Sequence, residues 1–239
     1  MAMPLLRIHA DASCPDAHPA DGGTADLCAL RTLVVADVLL RTAALGGRQT
    51  VLGLALPDLP EERVKELMRD AALLNVHPPT VQVGVQDVTG ALGGPADVHV
   101  VCPGAVPHAA PGAGRIDVGP VTAPPGALDD PPALRLALLG LAPGEPADLT
   151  SGDLRRAAAT TARWRALVAA WACEPSRPMH AATVREARAR FADGLDTRTA
   201  LALLHRLEEA EEVPAGSRFE TFAHLDRVLA LELARDVGR

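Results

Sequence analysis

Whatever chemistry this chain performs rests on a small set of histidines, thiols and acidic or arginine side chains. The four thiols, Cys14, Cys28, Cys102 and Cys173, show no C-x-x-C spacing and build no disulfide framework, so a reducing, cytoplasmic setting is expected. Soft ligands can still converge in space, and Cys28, Cys102, His18 and His99 are the residue types that hold zinc. The alternative is buried thiols and loop histidines, because cysteine is among the most often buried residues. His9 ends a short apolar run, and a histidine at a strand end faces the crevice where open α/β sheets take ligands. Arg31 and Asp37 fall within an apolar helix pattern, as ligand contacts, as members of a helix-internal charge pair, or on an exposed polar face. Trp164 and Trp171, seven residues apart, share one helix face and read as core. Glycine-rich phosphate loops, H-E-x-x-H, G-x-S-x-G and paired-carboxylate patterns do not occur.

A scaffold must position these groups, and 239 residues suffice for one large domain or two modest ones. Aromatic residues are 2% of the chain and tyrosine is missing, so the core is built from Ala, Leu and Val. The net charge of −7 argues against a nucleic-acid surface, which needs clustered cations. A signal peptide is not evident, and no apolar run reaches the roughly 18 residues that span a bilayer.

Apolar runs at 5–9 and 49–55 alternate with helix patterns at 25–41 and 61–74, which is a βαβ unit with a parallel sheet. The first strand is expected to be central. Thr24 or Asp26 can cap the first helix, and Gly46-Gly47 ends it. Further strands are expected at 81–85, 97–102 and 115–121, with turn chemistry at 11–23, a flexible break at 90–95 and a loop at 103–114. A proline-rich linker at 123–132 changes the character of the chain. Beyond it helices are expected at 133–141, 151–171, 181–193, 197–211 and 219–237. The expected fold is α/β, a Rossmann-like parallel sheet over 1–122 followed by an all-α helical bundle over 123–239.

Several segments, in order along the chain, resemble one family. Ala36-Asp37-Val38-Leu39-Leu40-Arg41 continues the first helix in the manner of an Asp-Val-Leu-x-Arg segment, and Arg31 matches an arginine upstream of it. Asn75-Val76-His77-Pro78-Pro79, Asp97-Val98-His99, Pro107-His108 and Ala133-Leu134-Arg135 follow in register, and Gly194-Leu195-Asp196-Thr197 closes the series. The chain thereby resembles the cysteinyl-tRNA synthetases and mycothiol cysteine ligases, which have a class I aminoacyl-tRNA synthetase fold. The likeness implies a nucleotide and amino-acid pocket at His9, Asp26, Cys28, Arg31, Asp97 and His99. It also implies ATP as cosubstrate and a zinc ion: Cys14 and His108 stand for two of the family's ligands, its second Cys has no counterpart, its Glu falls on Gly112, and Cys102 is a residue that could complete a regrouped site.

The departures concern catalysis. The family's His-x-Gly-x-Ala-Arg turn is degenerate, with Asp26, Cys28 and Ala29 in place of its His, Gly and second polar residue. Its lysine-rich K-M-S-K-S loop would fall between Val121 and Ala133, where the only acidic or basic residues are Asp129 and Asp130. Adenylyl transfer needs positive charge against a developing polyphosphate. Val100 and Val101 stand where the family has glycines. The expectation is a non-catalytic relative that binds a small molecule or a protein partner such as a related ligase, with tRNA disfavoured. The alternative is an ATP-dependent ligase with a rebuilt site, in which Asp26, Cys28, His99 and His108 line the pocket and Arg31 meets phosphate.

Overall fold

The computed structural model describes residues 5–13, 27–56, 60–83, 88–102 and 112–239. Expectations resting on Cys14, His18, Thr24, Asp26 and His108 lie outside the described residues. The chain divides into two compact units, residues 1–128 with 143–149, and residues 129–142 with 150–239.

In the first unit β1 (Leu6–Asp11), β2 (Thr50–Ala55), β3 (Val81–Val83), β4 (Val98–Val101) and β5 (Gly114–Asp117) form one parallel sheet. Its order is β3-β2-β1-β4-β5, so the first apolar run is the central strand. Side chains alternate between the faces of a strand. Leu6, Ile8 and Ala10 are buried on one face of β1, and Arg7, His9 and Asp11 point to the other. Parallel pairing sets Gly53, His9, His99 and Arg115 in one row across four strands. A Cβ at Gly53 would come within 2.9 Å of Leu92 Cδ2, which places Leu92 over that end of the row.

The connections are α1 (Leu27–Leu45), α2 (Glu61–Leu73) and the single turn α3 (Val88–Ala91). The break expected at 90–95 begins with the end of α3 and then follows a turn whose carbonyls Arg7 engages. Arg7 Nε donates to the Leu92 carbonyl at 3.1 Å and its Nη2 to that of Gly93 at 3.3 Å. Ten consecutive residues of α1, from Ala29 to Val38, are buried, Arg31, Thr32 and Asp37 among them. The exposed polar face expected for Arg31 and Asp37 does not exist, because the helix is covered on every side there.

The strand expected at 115–121 stops at Asp117 and resumes after Gly119-Pro120 as β6 (Val121–Thr122). Pro120 has no N–H for a ladder. Gly119 passes so close to the chain at Glu145 that a Cβ would lie 2.5 Å from its backbone. β6 pairs in parallel with β7 (Ala147–Asp148), and Thr122 Oγ1 donates to Asp148 Oδ1 at 2.6 Å. This pairing interrupts the region expected to be wholly helical. The intervening Pro143-Gly144-Glu145-Pro146 is turn chemistry, which suits a returning strand.

The second unit holds α4 (Pro131–Leu139), α5 (Ser151–Trp171), α6 (Ala181–Ala192), α7 (Thr197–Glu208) and α8 (Ala215–Leu229). Asp130 caps α4 by accepting from the Ala133 N–H at 3.1 Å, and Thr150 with Asp153 forms a capping box on α5. The expected tryptophan core is present: Trp164 and Trp171 both pack edge-on against Phe222. The last helix begins and ends earlier than the 219–237 pattern. Pro214 precedes its first turn, and Asp226 accepts from Leu231 N and Leu233 N, both at 2.8 Å, once Ala230 has turned left-handed. Among the described residues no helix is long and apolar enough to cross a membrane.

Candidate functional site

In this strand order the chain leaves β1 toward β2 on one side and returns to its other side at β4. By the switch-point rule the carboxyl ends of β1 and β4 border the crevice where doubly wound sheets bind ligands. His9 and His99 stand side by side within these strands, each two residues before the strand's carboxyl end and directly paired in register. Their Nδ1 atoms are 2.9 Å apart in a hydrogen bond, with the rings nearly perpendicular at 89°. The residues are only 3% and 4% exposed, and neither Nε2 has a partner. Burial lowers the pKa of both imidazoles. For His9 the neighbouring His99 adds to that effect and Asp11 opposes it; for His99 the Arg115 guanidinium adds to it. Both rings are therefore neutral at neutral pH.

Just beyond, the buried Asp11 accepts from the Ser13 N–H at 2.9 Å. Cys102, one residue past β4, donates its thiol to the Ser13 carbonyl at 2.9 Å. Ser13 Oγ is buried without a partner. His9 Nε2 and His99 Nε2 are thus two buried polar atoms without partners on adjacent strands, and Ser13 Oγ, four residues after His9 along the chain, is a third. An unsatisfied buried polar group costs about 1–3 kcal/mol, so a paired set of two is unusual unless something fills it.

The other sequence-predicted residues lie elsewhere in the unit. Arg31 is buried in α1, and its Nη1 donates to the carbonyls of Gly119 at 2.8 Å and Pro120 at 3.1 Å. Burial lowers its pKa, with Cys28 and Glu145 acting in the opposite direction. The Cys28 thiol accepts from the Val121 N–H at 3.5 Å and donates to its carbonyl at 3.6 Å. Both side chains therefore fasten the front of α1 to the turn entering β6. Asp97 is at the amino end of β4, where its Oδ2 accepts from the Arg7 N–H at 2.7 Å, the opposite end of the strands from the crevice. Asp26, Cys14 and His108 lie outside the described residues. Among the described residues no group of three His, Cys, Asp or Glu side chains has the arrangement of a metal centre, and the Cys102 thiol is taken up by a carbonyl.

Asp11 and Ser13 are the site residues that sequence reading passes over. Asp11 ends β1, two residues beyond the expected strand end, and Ser13 follows it; the one available signal is an Asp and a Ser within a few residues of His9. No protein-family model matches the chain, and no curated protein matches it either.

Proposed function

We propose that the α/β unit is a small-molecule binding domain on a synthetase-like scaffold, and that it does not form adenylates. The observation that carries this reading is the His9–His99 pair on the two strands that flank the switch point of the sheet, with both Nε2 atoms buried and unpartnered. Buried polar groups are nearly always satisfied, so a set of open ones implies a guest that satisfies them. Their burial favours a small ligand over a protein partner, which would meet exposed groups. The non-adenylating half of the proposal draws support from Arg31, whose guanidinium is turned inward onto two backbone carbonyls. A cation already engaged on the protein's own backbone is a poor clamp for a triphosphate.

Two measurements test the reading. ATP–pyrophosphate exchange, run with each amino acid in turn, is expected to stay at blank; exchange clearly above blank restores the ligase alternative. A thermal-shift screen of small polar metabolites is expected to return stabilising compounds. A ligand at a hundred times its Kd adds about 2.7 kcal/mol to the folded state. If none of them stabilises the chain, the binding proposal fails.

A further inference from the structure

The proposed function leaves the ligand's chemistry open, and the His9–His99 pair narrows it. We infer that the crevice selects an uncharged group carrying both a hydrogen-bond acceptor and a donor, a carboxamide or lactam, over a carboxylate or an ammonium. This rests on the binding reading above.

A neutral imidazole carries one N–H, on either nitrogen. Two Nδ1 atoms 2.9 Å apart hold one proton between them, since two would clash and none would set lone pair against lone pair. The rings are then forced into opposite tautomers. The ring whose Nδ1 donates has a bare Nε2, an acceptor; the ring whose Nδ1 accepts carries its proton on Nε2, a donor. If the shared proton crosses and the ring protons follow, the two roles exchange, but the pair still shows one donor and one acceptor. Both are buried and unpartnered.

A carboxamide supplies the missing acceptor and donor together, at no charge. A carboxylate can satisfy only the N–H, sets its charge against the bare nitrogen, and brings that charge close to Asp11. An ammonium satisfies only the bare nitrogen and leaves the N–H orphaned. Asp11 attracts a cation, which makes the ammonium the stronger of the two charged competitors. Either charge also loses its hydration on entering a site where the flanking imidazoles are almost fully enclosed.

The test uses the full-length chain labelled with 15N and long-range proton–nitrogen spectra of the histidine rings at about pH 7.5. His9→Gln and His99→Gln assign the two rings. The expected spectrum shows one ring protonated at Nδ1 and the other at Nε2, or both at the average of those forms. A ring protonated on both nitrogens, or two rings fixed in the same tautomer, overturns the inference and leaves the binding proposal standing. Propionamide, propionate and propylammonium are then titrated separately. Propionamide is expected to shift both Nε2 signals saturably, with the charged probes at least about tenfold weaker. A charged probe binding as well as the amide overturns the ligand class while upholding the crevice. Silence toward all three overturns both.

Discussion

Two polar centres are buried in the α/β unit, and they are built to opposite rules. The first is Asp37, fully enclosed within α1. Its Oδ2 accepts from Arg41 Nε at 2.8 Å, and its Oδ1 accepts from the His77 N–H at 3.0 Å and pairs with His77 Nδ1 at 2.9 Å. Arg41 Nη2 reaches on to the Asn75 carbonyl at 2.8 Å, so one carboxylate ties α1 to the chain leaving α2. The second is the His9–His99 pair, almost as enclosed, which leaves both Nε2 atoms open. A satisfied network locks elements together; an unsatisfied one is a cost that folding alone does not explain. Both centres contain a histidine, so residue type does not separate structure from site. What differs between these two centres is the completeness of their hydrogen bonding.

The difference is sharpest in mutation. Asp37→Ala removes the acceptor for Arg41 and for the His77 backbone, leaving a largely buried guanidinium without its carboxylate. Breaking a buried pair in this way costs about 3–5 kcal/mol. In urea denaturation the midpoint is expected to fall by that equivalent with the slope unchanged. The histidine pair is expected to behave otherwise. His99→Leu alone costs about 1–3 kcal/mol, because His9 Nδ1 joins its Nε2 as an orphan. The double variant His9→Leu with His99→Leu removes all the unpaired ring nitrogens together and is expected within about 1 kcal/mol of the native chain, while losing every ligand response. A double variant as unstable as Asp37→Ala would collapse the distinction.

Acid separates the two centres more gently. Burial holds His9 and His99 below the ordinary histidine pKa of 6.5. Between that lowered value and 6.5 the unfolded chain binds more protons than the folded one, so stability rises with pH across this window. The contribution is complete above the unfolded pKa and is lost as pH falls through 6.5 toward the folded value. The melting temperature is expected to drop from neutral pH to about pH 5, and the double leucine variant to drop less. His224 in the helical unit shifts in the same direction and leaves a residual slope in that variant. Equal slopes in the two proteins would place the acid sensitivity elsewhere.

Much of the frame was legible in the sequence, because it is local. The apolar run before His9, the β-branched run Val98, Val100, Val101 and the helix patterns that alternate with the strands gave an α/β fold with β1 at its centre, and the switch-point rule put His9 near the ligand end. The partnership of His9 with His99 was not readable, since it joins residues ninety positions apart and depends on strand order and register. The exposed-face alternative for Arg31 and Asp37 fails for a different reason, although Asp37 does form a charge pair within the helix, with Arg41. Helical periodicity assigns a polar residue to an outer face, but α1 has no outer face between Ala29 and Val38. The two-residue strands β6 and β7 are too short to leave a pattern, and what marks them is the Pro-Gly spacing around them.

Cys28 gives the finest test of the comparison, because its residue type and its position early in α1 would make it a pocket thiol, whereas its contacts belong to the satisfied class. The sulfur sits between the N–H and the carbonyl of Val121, joining α1 to β6. Cys28→Ser keeps a donor and an acceptor at the position but shortens the reach and strengthens the hydroxyl's own hydration. A neutral hydrogen bond contributes about 0.5–1.5 kcal/mol, so the loss is expected below about 1 kcal/mol in the same urea titration. The histidine-ring response to propionamide is expected to be unchanged, because this thiol holds the scaffold and does not touch the His9–His99 pair. A serine variant of native stability that no longer answers the amide would move Cys28 into the binding site and make hydrogen-bond completeness a poor guide in this fold.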